Sequence, residues 1–180
     1  MPDPRKVHIL LTLASILLLS FGNLAAGTRQ GVPQKRTLTE VDANGLKQAI
    51  ARQKGKVVFV NMWATWCAPC VAEFPDVVKL YQKYHAKGLE VIAVSFDEAA
   101  AAAIPFLDRQ KADFINVWKT QKQDDDTFKR IFEKAWLEKA AGALPASWLF
   151  DRSGNRQYYR VGKFDPAALD AQIAELLARK

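Results

Sequence analysis

The chain has 180 residues, 49% hydrophobic and 11% aromatic. That suits one domain with a real core plus a short accessory segment, and removes the need for a disulfide staple to hold the fold. The net charge is +7, but the basic residues are scattered among acids: Lys119 and Lys122 precede Asp124 to Asp126, and Lys129, Arg130 and Lys134 flank Glu133. This is the composition of a solvated surface and argues against a nucleic-acid stripe.

Arg5 and Lys6 form a short basic region, and Val7 to Phe21 is then apolar apart from His8, Thr12, Ser15 and Ser20. Small residues follow at Ala25, Ala26 and Gly27, so residues 1–27 read as a signal peptide cleaved before Thr28. They read equally as an uncleaved N-terminal anchor, because Val7 to Ala26 matches the ~20 residues that span a bilayer. Both readings leave Arg5 and Lys6 in the cytoplasm and send the rest outside, into a bacterial periplasm. No Cys follows the apolar run, which excludes a lipoprotein. Residues 28–36 are a polar linker, and 37–180 are the expected domain.

Within that domain Asp42 is placed to cap a helix running to about Gln53, with Leu46, Ala49 and Ile50 on one face. Val57 to Trp63 is a continuous apolar run broken only by Asn61, the pattern of a strand buried on both faces. A helix from about Ala68 to Lys87 follows, closed by Gly88, and Leu89 to Phe96 is a second buried strand. Strand, helix and strand imply a parallel pair with a right-handed crossover. Asp97 to Gln110 is expected to be helical, with a start that Pro105 leaves open. Asp124 to Asp126 offer caps for a further helix whose apolar residues, Phe128, Ile131, Phe132, Ala135 and Trp136, fall on one face. Ser147 to Phe150 and Gln157 to Val161 read as a hairpin around Asp151-Arg152-Ser153-Gly154-Asn155. Asp165 caps a last helix with Pro166 at its first position. Its apolar face holds Leu169, Ile173, Leu176 and Leu177. The order predicts an α/β fold with a central mixed sheet and helices on both sides.

The two cysteines, Cys67 and Cys70, stand three apart where a buried strand gives way to a helix. On a helix such residues share a face, within the range a disulfide can bridge. Cys67 lies at the helix N-terminus, where unpaired N–H groups and the macrodipole favour its thiolate, the nucleophilic form. Cys70 is one turn inside and better shielded. Cys67 is therefore assigned the attack on a partner disulfide and Cys70 the resolution of the mixed disulfide. Pro69 is tolerated because the first helical turn has no N–H partner to lose. A purely structural disulfide is the bland alternative, but a bridge closing so short a loop removes little entropy from the unfolded chain. Zinc lacks ligands, since one of the two histidines, His8, lies in the N-terminal segment. Two thiolates can hold Cu(I).

The run from Val58 through Asn61, Trp63, Trp66-Cys67-Ala68-Pro69-Cys70, Glu73 and Pro75 resembles the TlpA/ResA-like branch of the thioredoxin superfamily. Ala143-Leu144-Pro145-Ala146-Ser147-Trp148-Leu149-Phe150-Asp151 and Gly154 resemble the second signature of that branch. The resemblance covers about residues 37–180, with poor agreement from 105 to 140. It implies a thioredoxin-like fold in which Pro145 is the cis-proline beside the cysteine pair, and Leu144 offers backbone groups to a bound substrate. Leu144 is bulkier than the usual Val or Thr. Asn61 occupies the place of thioredoxin's buried acid, and a neutral amide cannot move protons. Glu73 resembles the branch's active-site carboxylate, expected to tune the thiols and shuttle a proton when Cys70 attacks. A solvated helix glutamate is the alternative. Pro75 matches the kink proline of the long helix. Trp66 is expected to shield the sulfurs and line the docking surface. The branch also carries a strand–helix insertion, for which Asn116 to Thr120 supplies the strand and the amphipathic stretch the helix.

These features imply an extracytoplasmic thiol–disulfide oxidoreductase: catalytic Cys67, Cys70 and Glu73, substrate-binding Trp66, Leu144 and Pro145, no metal and no cofactor. It exchanges electrons with partner-protein dithiols and disulfides as the reductant, and the resemblance implies a membrane dithiol donor and an apocytochrome c or copper-site protein as substrate. A disulfide-forming oxidase is the rival within the same chemistry, disfavoured because Ala68-Pro69 places no His between the cysteines. A non-catalytic Cu(I)-binding or adaptor module is the rival outside it.

Overall fold

The computed structural model of the chain describes residues 36–122 and 143–179. Their elements are β1 (Thr39–Val41), α1 (Ala43–Ala51), β2 (Val57–Trp63), α2 (Ala68–Tyr84), β3 (Leu89–Ser95), α3 (Ala100–Gln110), β4 (Ile115–Lys119), β5 (Ala146–Phe150), β6 (Arg156–Val161) and α4 (Pro166–Ala178). The six strands form one sheet in the order β1-β4-β3-β2-β5-β6. β2 and β3 pair in parallel from Val57↔Leu89 to Trp63↔Ser95, and β2 and β5 pair antiparallel, with Met62 opposite Ala146. The sheet is therefore mixed, and its central strands are buried along their whole length. This is the burial that their predominantly apolar runs require.

Alternation along β2 separates the two faces. Phe59, Asn61 and Trp63 meet Phe164, Glu73 and Phe74, so α2 lies on that side. α3 joins it through Phe106, which packs on both Trp63 and Phe74, and α4 through the ion pair of Lys83 with Asp170 at 2.7 Å. Val58 points the other way and shares a surface pocket of about 380 Å³ with Ile50 of α1 and Phe150. The four helices thus flank both faces of a thioredoxin-like sheet. Trp63, Phe74, Phe106 and Phe114 form a linked aromatic cluster under α2, each ring removing roughly 1.5–3 kcal/mol worth of apolar surface from water.

The local signals account for most boundaries. Asp42 accepts from the Gly45 amide at 2.7 Å, and Asp165 accepts from the amides of Ala167 and Ala168. Gly88 closes the turn after α2 at φ 104, a conformation that costs a residue with a Cβ. The Asp151 carboxylate accepts from the amides of Ser153 and Asn155, both at 2.9 Å, and fixes the hairpin turn. Pro75 lies inside α2.

Three features differ from expectation. β1 was not foreseen; its three residues bury only Val41, too short a stretch to show a period. α3 begins at Ala100 rather than Asp97, with Pro105 inside it, because the Asp97 side chain turns back to Thr65 and Ser95 instead of capping the helix. Arg36, placed in the linker by composition, donates to Asp108 at 2.7 Å and to the Ala112 carbonyl at 2.9 Å. The inserted strand is real: β4 enters the sheet between β1 and β3, parallel to both. The amphipathic helix expected over 128–136 and the N-terminal signal or anchor lie outside the described residues. Among the described residues no helix is long and apolar enough to cross a membrane.

Candidate active site

β2 ends at Trp63, and four residues later Cys67 takes the N-cap position of α2 with extended backbone, φ −90 and ψ 95. Its carbonyl accepts from the Val71 amide at 3.0 Å, while its side chain makes no capping hydrogen bond. Cys67 and Cys70 are joined by a disulfide, with Cα atoms 5.2 Å apart. The bridge therefore spans the first turn of the helix, as their spacing predicts. Cys70 is fully buried and Cys67, the outer of the two, retains 6% exposure. Trp66, immediately before it, is 65% exposed and is the large apolar side chain left in solvent among the described residues. Trp63 belongs to the core instead.

The peptide bond between Leu144 and Pro145 is cis. Register places it at the same end of the sheet as the disulfide, because Ala146 pairs with Met62 next to the end of β2. The Pro145 carbonyl accepts from the Gly162 amide at 2.8 Å, which ties the loop before α4 to the proline. Leu144 is half-buried against the core.

Glu73 lies one turn beyond Cys70 on α2. It is 2% exposed, which rules out the solvated alternative. Asn61 of β2 donates to its Oε1 at 3.1 Å, and the Phe164 amide donates to its Oε2 at 3.3 Å. Burial outweighs these hydrogen bonds and the nearby Lys163, and pushes the carboxyl up to about 7. The same Asn61 amide donates to Ser147 Oγ at 3.2 Å. A polar chain thus runs from α2 across β2 to β5, ending two residues past the cis proline. Asn61 Oδ1 is buried without a hydrogen-bond partner among the described residues.

The sequence-predicted residues are brought to one end of the sheet: Trp66, Cys67, Cys70 and Glu73 on α2 and its approach, Leu144 and Pro145 before β5. Sequence reasoning missed Ser147 as the far end of the Asn61 link, and it missed Asp97. The Asp97 carboxylate, 1% exposed, accepts from the Thr65 amide at 3.0 Å and from Ser95 Oγ at 2.8 Å. A Ser closing a buried strand and an acid two residues on was the available signal, but the partner Thr65 is 32 residues away.

A disulfide this close to a helix N-terminus, buried but for the 6% exposure of Cys67 and backed by a titrating carboxyl, can be opened and closed by thiol exchange with little backbone movement. Fold and site together define a thioredoxin-fold thiol–disulfide oxidoreductase. The chain belongs to the Redoxin family, whose model matches residues 25–176, and within it to the TlpA/ResA-like group. The Thiol-disulfide oxidoreductase ResA of Bacillus cereus is 36% identical over 138 residues, covering 75% of this chain and 72% of that protein. The ResA of Geobacillus kaustophilus is 31% identical over 135 residues, covering 75% and 71%. Among solved structures, one assigned to a thiol:disulfide interchange protein DsbE of Chlorobium tepidum superposes with a TM-score of 0.59 at 32% identity, covering 72% of this chain and 85% of that one. A second Chlorobium tepidum thiol:disulfide interchange protein, of the thioredoxin family, gives 0.60 at 26% identity, covering 71% and 84%. Relatives of this kind imply protein thiols and disulfides as partners.

Proposed function

We propose that the protein is an extracytoplasmic reductant of partner-protein disulfides, with Cys67 as nucleophile, Cys70 as resolving thiol and Glu73 as proton carrier. The observation that carries the reading is the buried Glu73 carboxyl, titrating at about 7 one turn beyond Cys70. A group poised there both accepts and releases a proton at neutral pH.

In the reduced form the Cys67 thiolate attacks one sulfur of the partner disulfide. The partner's S–S bond breaks and its other sulfur leaves as thiolate. Cys70 gives its proton to the Glu73 carboxylate and attacks Cys67, so the mixed disulfide breaks and the partner's second sulfur departs. Glu73 returns the proton to a leaving thiolate. Two electrons have passed to the partner, and the Cys67–Cys70 disulfide seen here is the product. A membrane dithiol donor then restores the pair, and no cofactor takes part. Trp66, Leu144 and Pro145 form the surface against which the partner chain lies, Leu144 through its backbone. An apocytochrome c or a copper-site assembly protein fits this role. Residues 1–27 export the domain as a cleaved signal or hold it at the membrane as an anchor, 28–36 link it, and 37–180 carry the chemistry in the periplasm.

Equilibration of the purified domain with reduced and oxidised glutathione tests the direction of flow. The expected result is a potential well below that of the glutathione couple, in the range of reductants such as thioredoxin at about −270 mV. A value near the oxidising end, about −120 mV, would make the protein a disulfide-forming oxidase.

A further inference from the structure

We propose that Asp97 is a positioning residue of the redox centre, holding the Thr65–Cys67 approach so that the Cys67 sulfur sits at the mouth of α2. The inference rests on Cys67 being the attacking thiol. Between the end of β2 and the start of α2 the chain crosses Ala64, Thr65 and Trp66, and only a weak turn, the Cys67 amide to the Ala64 carbonyl at 3.2 Å, holds this stretch from within. The rest of the restraint comes from β3. The Asp97 carboxylate accepts from the Thr65 amide at 3.0 Å and from the Thr65 hydroxyl at 2.5 Å. Ser95 Oγ donates to the other carboxylate oxygen at 2.8 Å, and the Asp97 amide donates back to Ser95 Oγ at 3.2 Å. Hydrogen bonds to an ionised acceptor are about twice as strong as neutral ones. Those made by a buried acceptor fix geometry because their loss leaves a charge unsatisfied.

The clamp is itself anchored on the inserted strand. The Trp118 indole of β4 donates to the Asp97 carbonyl at 2.7 Å, and Gln121 Nε2 donates to the same oxygen at 3.3 Å. β4 and the residue pair after it therefore reach the redox centre through Asp97. A carboxylate bonded to Thr65, two residues before the attacking thiol, gains nothing electrostatically for the thiolate, since like charges oppose one another. Its value lies in placement, and placement predicts that an amide of the same shape will serve. Asparagine at 97 keeps an oxygen for Thr65 and offers its N–H to Ser95 Oγ, which has a lone pair to receive it.

The test compares Asp97→Ala, Asp97→Asn, Thr65→Val and the Asp97→Ala/Thr65→Val double variant. The readouts are reduction of insulin, the rate of attack on oxidised glutathione, and titration of the Cys67 thiolate by its ultraviolet absorbance. Asp97→Ala and Thr65→Val are expected to slow attack about tenfold, the cost of a misplaced nucleophile, and to raise the Cys67 pKa. The double variant should be no slower than Asp97→Ala alone, because the hydroxyl bond lost in Thr65→Val is one of those that Asp97→Ala already removes, the Thr65 amide bond being the other. Asp97→Asn should stay within about twofold of the parent, with no rise in the Cys67 pKa. Parent-like rate and titration in Asp97→Ala would overturn the proposal, as would an Asp97→Asn as slow as Asp97→Ala. If Asp97→Ala does not fold, Thr65→Val decides alone, an unchanged rate and titration counting against the clamp. Cys67→Ser is the separate control: turnover surviving in it would sink the underlying reading and leave Asp97 with nothing to position.

Discussion

Glu73 and Asp97 are both buried acids beside the disulfide, 2% and 1% exposed, yet their surroundings differ. Glu73 hangs from α2 into the sheet and receives two long hydrogen bonds, at 3.1 and 3.3 Å. Asp97 lies two residues past the end of β3 and receives three donors at 2.5, 3.0 and 2.8 Å, two of them from Thr65. Donors stabilise the charged form and burial opposes it. A sparse set leaves burial in command, and Glu73 rises to about 7. A dense set makes the carboxylate a structural tie between strand and loop. One end of one sheet thus holds an acid with two long hydrogen bonds and an acid whose oxygens tie the chain together, and the difference in bonding is made by neighbours rather than by residue type.

The comparison breaks most visibly at the sulfurs. Cys67→Ser should abolish insulin reduction, a loss of at least about a thousandfold, whereas Cys70→Ser should still attack and accumulate the mixed disulfide, visible by mass spectrometry. Equal trapping by both variants would remove the assignment of roles. Next comes Glu73→Gln. If Glu73 carries the proton, the resolution step should slow about a hundredfold, and the inflection near neutral pH should vanish from the rate profile. The same variant sharpens the energetic side. A carboxyl whose pKa is raised by folding, here from 4.5 to about 7, contributes stability that is full below about 4.5 and lost as pH rises through about 7. The lost amount is about 3 kcal/mol. Denaturant titrations should show the parent weakening across that window and Glu73→Gln staying flat.

Much of this was legible in the sequence because the signals are local. Trp66-Cys67-Ala68-Pro69-Cys70 declares a redox pair at a strand–helix junction, predominantly apolar runs declare β2 and β3, and Asp42, Gly88 and Asp165 declare their own turns and caps. What stayed hidden depends on contacts distant in sequence. The burial of Glu73 is set by β2, β5 and the loop before α4, whose Phe164 amide is 91 residues away. Asp97 reads as the first residue of a helix until β3 is laid beside β2 and its carboxylate meets Thr65. β1 escaped because three residues with one buried side chain carry no period.

The smallest effect probes the link between Glu73 and the sheet. Asn61 spends both amide protons, one on Glu73 and one on Ser147, while its Oδ1 has no partner among the described residues. Asn61→Leu replaces the amide by an apolar group of similar shape, so it removes a buried orphan acceptor along with the two donors, and at low pH the net cost to stability should be under about 1 kcal/mol. Glu73 loses a donor that favours its charged form, and its pKa should climb by about one unit more. A higher folded-state pKa means that more stability is lost at high pH. The variant should therefore match the parent below pH 4.5 and fall behind it above pH 8, with the rate inflection displaced upward. An inflection that stays at its parental pH would show that Asn61 does not set the acidity of Glu73, and that burial under α2 alone accounts for it.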